Sequence, residues 1–82
     1  MLTKAQHARQ YRVLPPFLRE MREKAGLTQR ELGALLRKPQ SWIYNCETGN
    51  RRVDVTEFIA WCEACKVKPG VGLARIIKLM RP

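Results

Sequence analysis

The chain of 82 residues has one histidine, His7, and only three cysteines, Cys46, Cys62 and Cys65. So small and odd a number of thiols makes no disulfide framework, and reduced cysteines are expected. A single histidine among seven acids offers no acid–base pair. The phosphate-cradling Gly-x-x-x-x-Gly-Lys, the nucleophile elbow and His-Glu-x-x-His are all missing as well. The sequence therefore predicts no enzyme and no bound cofactor. The longest apolar run, Phe58 to Cys62, is five residues, against roughly 20 for a bilayer span. No membrane span is expected. The N-terminal residues lack the ~7–15-residue apolar stretch of a secretory signal, so the cytosol is the expected compartment. Alternating strand patterns and internal repeats are absent too, and the chain reads as all-α.

What is present is positive charge. Sixteen Lys and Arg against seven acids give a formal charge of +9, a field that attracts polyanions. Nucleic acid leads as a partner, ahead of acidic lipid or an acidic protein. Residues 1 to 19 hold Lys4, Arg9, Arg12 and Arg19 with no acid at all. The chain is long enough for one domain, and a domain of this size buries only about 60% of its unfolded surface. Marginal stability of the monomer is expected, which favours pairing with a second copy.

Helical periodicity sets the organisation. Residues 1–16 read as a basic arm or short helix, with Thr3 as a cap over Lys4 to Val13 and a stop at Leu14-Pro15-Pro16, where Pro16 suits the first turn of the next helix. Residues 17–82 read as the main domain. Phe17, Leu18, Met21 and Ala25 form an apolar stripe, with Arg19, Glu20, Arg22, Glu23 and Lys24 on the wet side and Gly26 as the terminator. Thr28 with Glu31 reads as a capping box, opening a helix to about residue 36 that buries Leu32 and Leu36. Pro39 breaks the pattern, and a second helix over about 39–48 puts Ile43 and Cys46 on one face. Gly49 ends it, and the basic loop Asn50-Arg51-Arg52 follows. Val55, Phe58, Ile59, Cys62 and Cys65 make the stripe of a helix over Val55 to Val67, with Trp61 one step off its centre. Leu73, Ile76, Ile77 and Met80 mark a last helix over about 70–80.

Two short helices joined by a three- or four-residue turn are the unit that lays its second helix in the DNA major groove. Three runs carry a specific likeness: Leu27-Thr28-Gln29-Arg30-Glu31-Leu32, Pro39-Gln40-Ser41-Trp42-Ile43 and Glu47-Thr48-Gly49-Asn50-Arg51-Arg52. Thr-Gln-x-Glu-Leu, an Ile on the second helix and Glu-x-Gly-x-Arg after it resemble the Cro and phage-repressor (XRE-like) family of helix-turn-helix regulators, over roughly residues 17 to 67. The resemblance implies a five-helix, lambda-repressor-like domain that regulates transcription as a homodimer on double-stranded DNA. A repressor is the expected sign.

Roles follow from the resemblance, position by position. Gln29 is similar to the family glutamine that binds a phosphate at a helix N-terminus. Gln40, Ser41 and Asn45 match positions that reach base edges, where Gln and Asn suit adenine N6 and N7. Tyr44 is open to a methyl or backbone contact. Asn50, Arg51 and Arg52 fall in the loop that follows the backbone, where a guanidinium fork suits phosphate. The chain departs from the family at four places. Arg37 replaces the usual turn glycine, which predicts a left-handed residue at a cost of roughly 1 kcal/mol. Lys38, in place of an apolar turn residue, joins the expected phosphate set. Gly33 stands where the family has alanine and the motif helices cross. Trp42 can pack on the scaffold, touch a thymine methyl or donate to phosphate.

Cys62 and Cys65 invite a zinc or redox reading, but both lie inside a helix stripe rather than at a helix N-terminus. Cys46 and His7 are the only other obvious ligands and share no motif spacing, so the thiols read as core fillers and His7 as exposed. Leu73, Ile76, Ile77 and Met80 exceed what so small a core needs, which makes the last helix the expected dimer face. The rival reading is an antitoxin-like or protein-interaction module whose main partner is a toxin or another regulator. No sensor domain is expected within this length.

Overall fold

The computed structural model describes residues 9–81, and no strand occurs among them. Helical residues 9–11 lead into α1 (Leu14–Lys24), α2 (Gln29–Leu36), α3 (Gln40–Thr48), α4 (Val55–Ala64) and α5 (Pro69–Met80). The readings of Thr3, Lys4 and His7 fall outside the described residues.

Local chemistry explains most of the boundaries. Pro16 lies in the first turn of α1, as expected, and Pro15 joins it there, so the helix begins at Leu14, three residues before the Phe17 that opens its apolar stripe. A first-turn amide has no intrahelical acceptor, so proline loses nothing there. α1 ends where Gly26 turns left-handed at φ 75°, with its N–H on the Glu23 carbonyl and that of Leu27 on the Arg22 carbonyl. The Thr28–Glu31 box opens α2: Glu31 N–H donates to Thr28 Oγ1 at 3.0 Å and Thr28 N–H to Glu31 Oε1 at 2.9 Å. A second box, Asp54 with Glu57, opens α4 in the same way. α4 stops at Ala64, short of the expected Val67, because Lys66 turns left-handed and Val67 N–H closes onto the Cys62 carbonyl.

Leu18, Leu32, Ile43, Cys46, Trp61 and Cys62 are fully buried at the centre, with Phe17, Met21, Phe58, Cys65 and Ile76 around them. α2 packs most extensively on α3, and α3 in turn on α1. The α4 stripe differs from expectation. Val55 is 66% exposed and Ile59 40%, while Trp61 is completely enclosed and donates its indole N–H to the Leu18 carbonyl at 3.2 Å. Phe58, Trp61, Cys62 and Cys65 are therefore the inward set. Two overlapping helical stripes compete on this sequence, and the one carrying the indole, with its large apolar area and a polar atom that finds an acceptor, wins. Leu36 is half-buried rather than buried.

Candidate nucleic-acid interface

The turn between α2 and α3 is three residues long, from Arg37 to Pro39. Arg37 adopts the left-handed conformation at φ 56° and ψ 43°, as its place in the sequence predicts. The Lys38 N–H then returns to the Gly33 carbonyl at 2.8 Å. That closure brings the turn back over α2, and a Cβ on residue 33 would stand 2.6 Å from the Lys38 carbonyl oxygen. Glycine at 33 is thus a geometric requirement of this turn. Pro39 is the N-cap of α3 and leaves Gln40 and Ser41 exposed at the helix start.

A chain of hydrogen bonds runs from the core to that helix start. Arg22, expected on the wet side of α1, is buried and forms a two-point pair with buried Glu47 of α3. Its Nε donates to Glu47 Oε2 at 2.6 Å, its Nη2 to Oε1 at 3.1 Å and its Nη1 to the Leu27 carbonyl at 2.7 Å. Glu47 raises the Arg22 guanidinium above its ordinary pKa through these bonds. Gln29 donates from Nε2 to Glu47 Oε1 at 3.0 Å, and Gln40 donates from Nε2 to Gln29 Oε1 at 2.8 Å. The structure thus brings Gln29 and Gln40 together. Periodicity could have flagged Arg22, since it lies four residues after Leu18 and next to Met21 on the edge of the apolar stripe.

At the mouth of α2, the capping box uses the amides of Thr28 and Glu31. The first-turn amides of Gln29 and Arg30 have no partner within the helix. An open cleft of about 400 Å³ lies over this end, lined by Thr28, Gln29, Arg30 and Gln40 with Arg22 below.

The loop after α3 is ordered by aromatic and ionic contacts. Arg51 meets Glu57 in a two-point pair, Nη1 to Oε1 and Nη2 to Oε2, both 3.0 Å. That pairing raises the arginine and holds the Glu57 carboxyl below its ordinary value. Arg51 also lies 4.8 Å over the Trp42 ring, and Lys38 lies 5.1 Å from the same ring. Trp42 is half-buried and packs 6.3 Å from Trp61, so its indole is part of the scaffold. Asn50 donates to Asn45 Oδ1 at 3.4 Å. Tyr44 is half exposed, and Arg52 is exposed with its guanidinium 4.5 Å over the Tyr11 ring. The partners of Arg51 and Arg52 escaped sequence reasoning, although Asp54-x-x-Glu57 carries the capping-box spacing.

This arrangement fits what known proteins show. A family model described as a helix-turn-helix domain matches residues 16–76. The chain belongs to the XRE-like helix-turn-helix family. Members of this family are DNA-binding regulators, typically without enzymatic activity. Among solved structures, an XRE-family like protein from Pseudomonas syringae pv. tomato str. DC3000 is 38% identical, with a TM-score of 0.84 over 96% of this chain and 95% of that one. A search of curated proteins finds no match.

The remaining expected sites lie apart from the motif. Cys46, Cys62 and Cys65 are buried free thiols, and burial pushes Cys46 and Cys65 up to about 11. Among the described residues, no group of three His, Cys, Asp or Glu stands ready to hold a metal ion, and no helix is long and apolar enough to cross a membrane. On α5, Ile76 belongs to the chain's own core and Met80 is half-buried, so only Leu73 and Ile77 of the expected dimer set stay exposed, at 47% and 41%.

Proposed function

We propose that this protein is a sequence-specific regulator, a repressor, that binds double-stranded DNA as a homodimer with α3 in the major groove. The observation that carries this reading is the chain Arg22–Glu47–Gln29–Gln40. It ties an exposed amide at the start of α3 to a buried ion pair, and a preorganised amide reads a base edge without first losing side-chain entropy. Gln40, Ser41, Tyr44 and Asn45 are the proposed base-reading set on that helix. Gln29 and the free amides at the start of α2 take a phosphate, as helix N-termini do. Lys38, Asn50, Arg52 and the edge of Trp42 follow the backbone on either side. Arg51, held by Glu57 and Trp42, shapes the loop and adds its charge to the field.

Leu73 and Ile77 are the proposed centre of the dimer contact. Two symmetric protomers place their recognition helices about 34 Å, one DNA turn, apart. Selection from random duplexes at about 150 mM salt tests the reading. A palindromic site is the expected product, bound far more tightly than scrambled DNA. Weak, salt-labile binding with no enriched site would sink it and move the function to a protein partner. Leu73→Lys with Ile77→Lys should leave monomers that still bind a half-site weakly.

A further inference from the structure

Tyr11 precedes α1 and yet holds the loop that follows α3. Its hydroxyl accepts the Val53 N–H at 2.8 Å and donates to the Arg51 carbonyl at 3.5 Å, contacts that span 42 and 40 residues of sequence. A phenol serves in both senses at once. Burial pushes this phenol above its ordinary pKa, so it keeps its proton through the neutral range. The guanidinium of Arg52 lies 4.5 Å over the same ring. The loop's other contacts centre on Arg51 and Asn50: the Arg51 N–H on the Asn45 carbonyl, its guanidinium fork on Glu57, on the Arg52 carbonyl and over Trp42, and the Asn50 amide on Asn45. Because that fork is occupied, Arg52 is the loop's outward-facing arginine. Arg12 and Arg52 line one open cleft of about 440 Å³ together with Tyr11, Pro16, Glu47 and Thr48.

We infer that Tyr11 is a positioning residue for DNA binding: its hydroxyl fixes the backbone of residues 51–53 and its ring orients Arg52 beside Arg12 toward the phosphates flanking the recognition helix. The inference rests on the DNA-binding reading above and adds a function for the segment before α1. Without the hydroxyl, the Val53 amide loses its acceptor and the loop moves more freely. Without the ring, Arg52 loses the surface it lies on. The charge itself stays, so the loss falls on the order of the contact and not on long-range attraction.

The test uses the full chain and a short mixed-sequence duplex, since phosphate contacts are independent of sequence. Tyr11→Phe should bind about three- to tenfold more weakly, with helix content unchanged and faster hydrogen exchange at the Val53 amide. Tyr11→Ala should also lower the salt dependence of log Kd by about one, and adding Arg52→Gln to it should cost much less than Arg52→Gln costs in the otherwise unchanged chain. Unchanged affinity in Tyr11→Phe, or full additivity with Arg52→Gln, overturns the inference while leaving DNA binding intact. A wild-type chain that does not bind the duplex overturns both. Should Tyr11→Ala lose helix content, Tyr11→Phe and the Val53 exchange rate decide.

Discussion

Arg22 of α1 and Glu47 of α3 meet by two hydrogen bonds, 2.6 and 3.1 Å, beneath the surface that carries Gln29 and Gln40. A buried pair of this kind gives little net stability over apolar residues of the same size, but breaking one side strands a charge. Arg22→Ala should therefore cost about 3–5 kcal/mol, read as a shift of the denaturation midpoint. Arg22→Met with Glu47→Leu should recover much of that loss. The double variant also removes the acceptor that holds Gln29, so it should fold and yet discriminate poorly among bases. Full base preference in a folded double variant would show that the pair serves stability alone.

Gln40 and Arg52 should differ in kind. Gln40→Ala removes the amide proposed to read a base and is expected to cost about 1–3 kcal/mol on the selected site, with little change on random duplex. Arg52→Gln is expected to weaken all sequences alike and reduce the salt slope by about one. Arg51→Gln, by contrast, should act on stability more than on the slope, because its fork is held by Glu57 and its face by Trp42. Titrations at several salt concentrations separate the three. Equal slopes for Arg51→Gln and Arg52→Gln would remove the distinction.

These contrasts mark what the sequence conveys and what it hides. Thr28 and Glu31 are three residues apart and their capping box is a local contract between side chain and backbone, legible without any tertiary information. The left-handed Arg37 was equally legible, since a turn of this length needs a positive φ whatever residue stands there. Arg22 was legible only as a position, four residues after Leu18; its pairing was not, because Glu47 is 25 residues away and residue type alone argues for the wet face. The α4 stripe was ambiguous for another reason: Phe58, Cys62 and Cys65 fit a helical face with Val55 and Ile59 as well as one with Trp61. Only the neighbouring helices decide between them. The residues proposed to face DNA come from the family likeness, whereas Glu47, which holds Gln29, and Tyr11, which holds the loop at Val53, lie 18 and 42 residues from the groups they bond.

The carboxylates at the helix starts set the response to acid. Glu31, Asp54 and Glu57 are all held below their ordinary values, Glu31 and Asp54 foremost by bonds from backbone amides and Glu57 foremost by Arg51. A carboxyl depressed in the folded state stabilises fully above its ordinary pKa, and that stability is lost as pH falls through the depressed value. The melting temperature should stay level from neutral pH down to about 5 and fall below the ordinary values of 3.8 to 4.5. Glu31→Gln with Glu57→Gln should flatten that fall. An acid limb of unchanged steepness would place the sensitivity elsewhere.

The thiols give a test of the core. Cys46 and Cys65 are pushed up to about 11 by burial, and Cys62 is raised for the same reason. Since the thiolate is the reactive form, iodoacetamide at pH 8 should leave all three unmodified in the native protein and label all three in denaturant. Cys62 also lies against α5, where a Cβ on residue 72 would stand 2.8 Å from its Sγ. Gly72→Ala should loosen that contact, speeding the labelling of Cys62 before Cys46, which is buried against other helices. Rapid native labelling of Cys62 and Cys65 in the unmodified chain would contradict the core assignment and reopen a redox role for the pair.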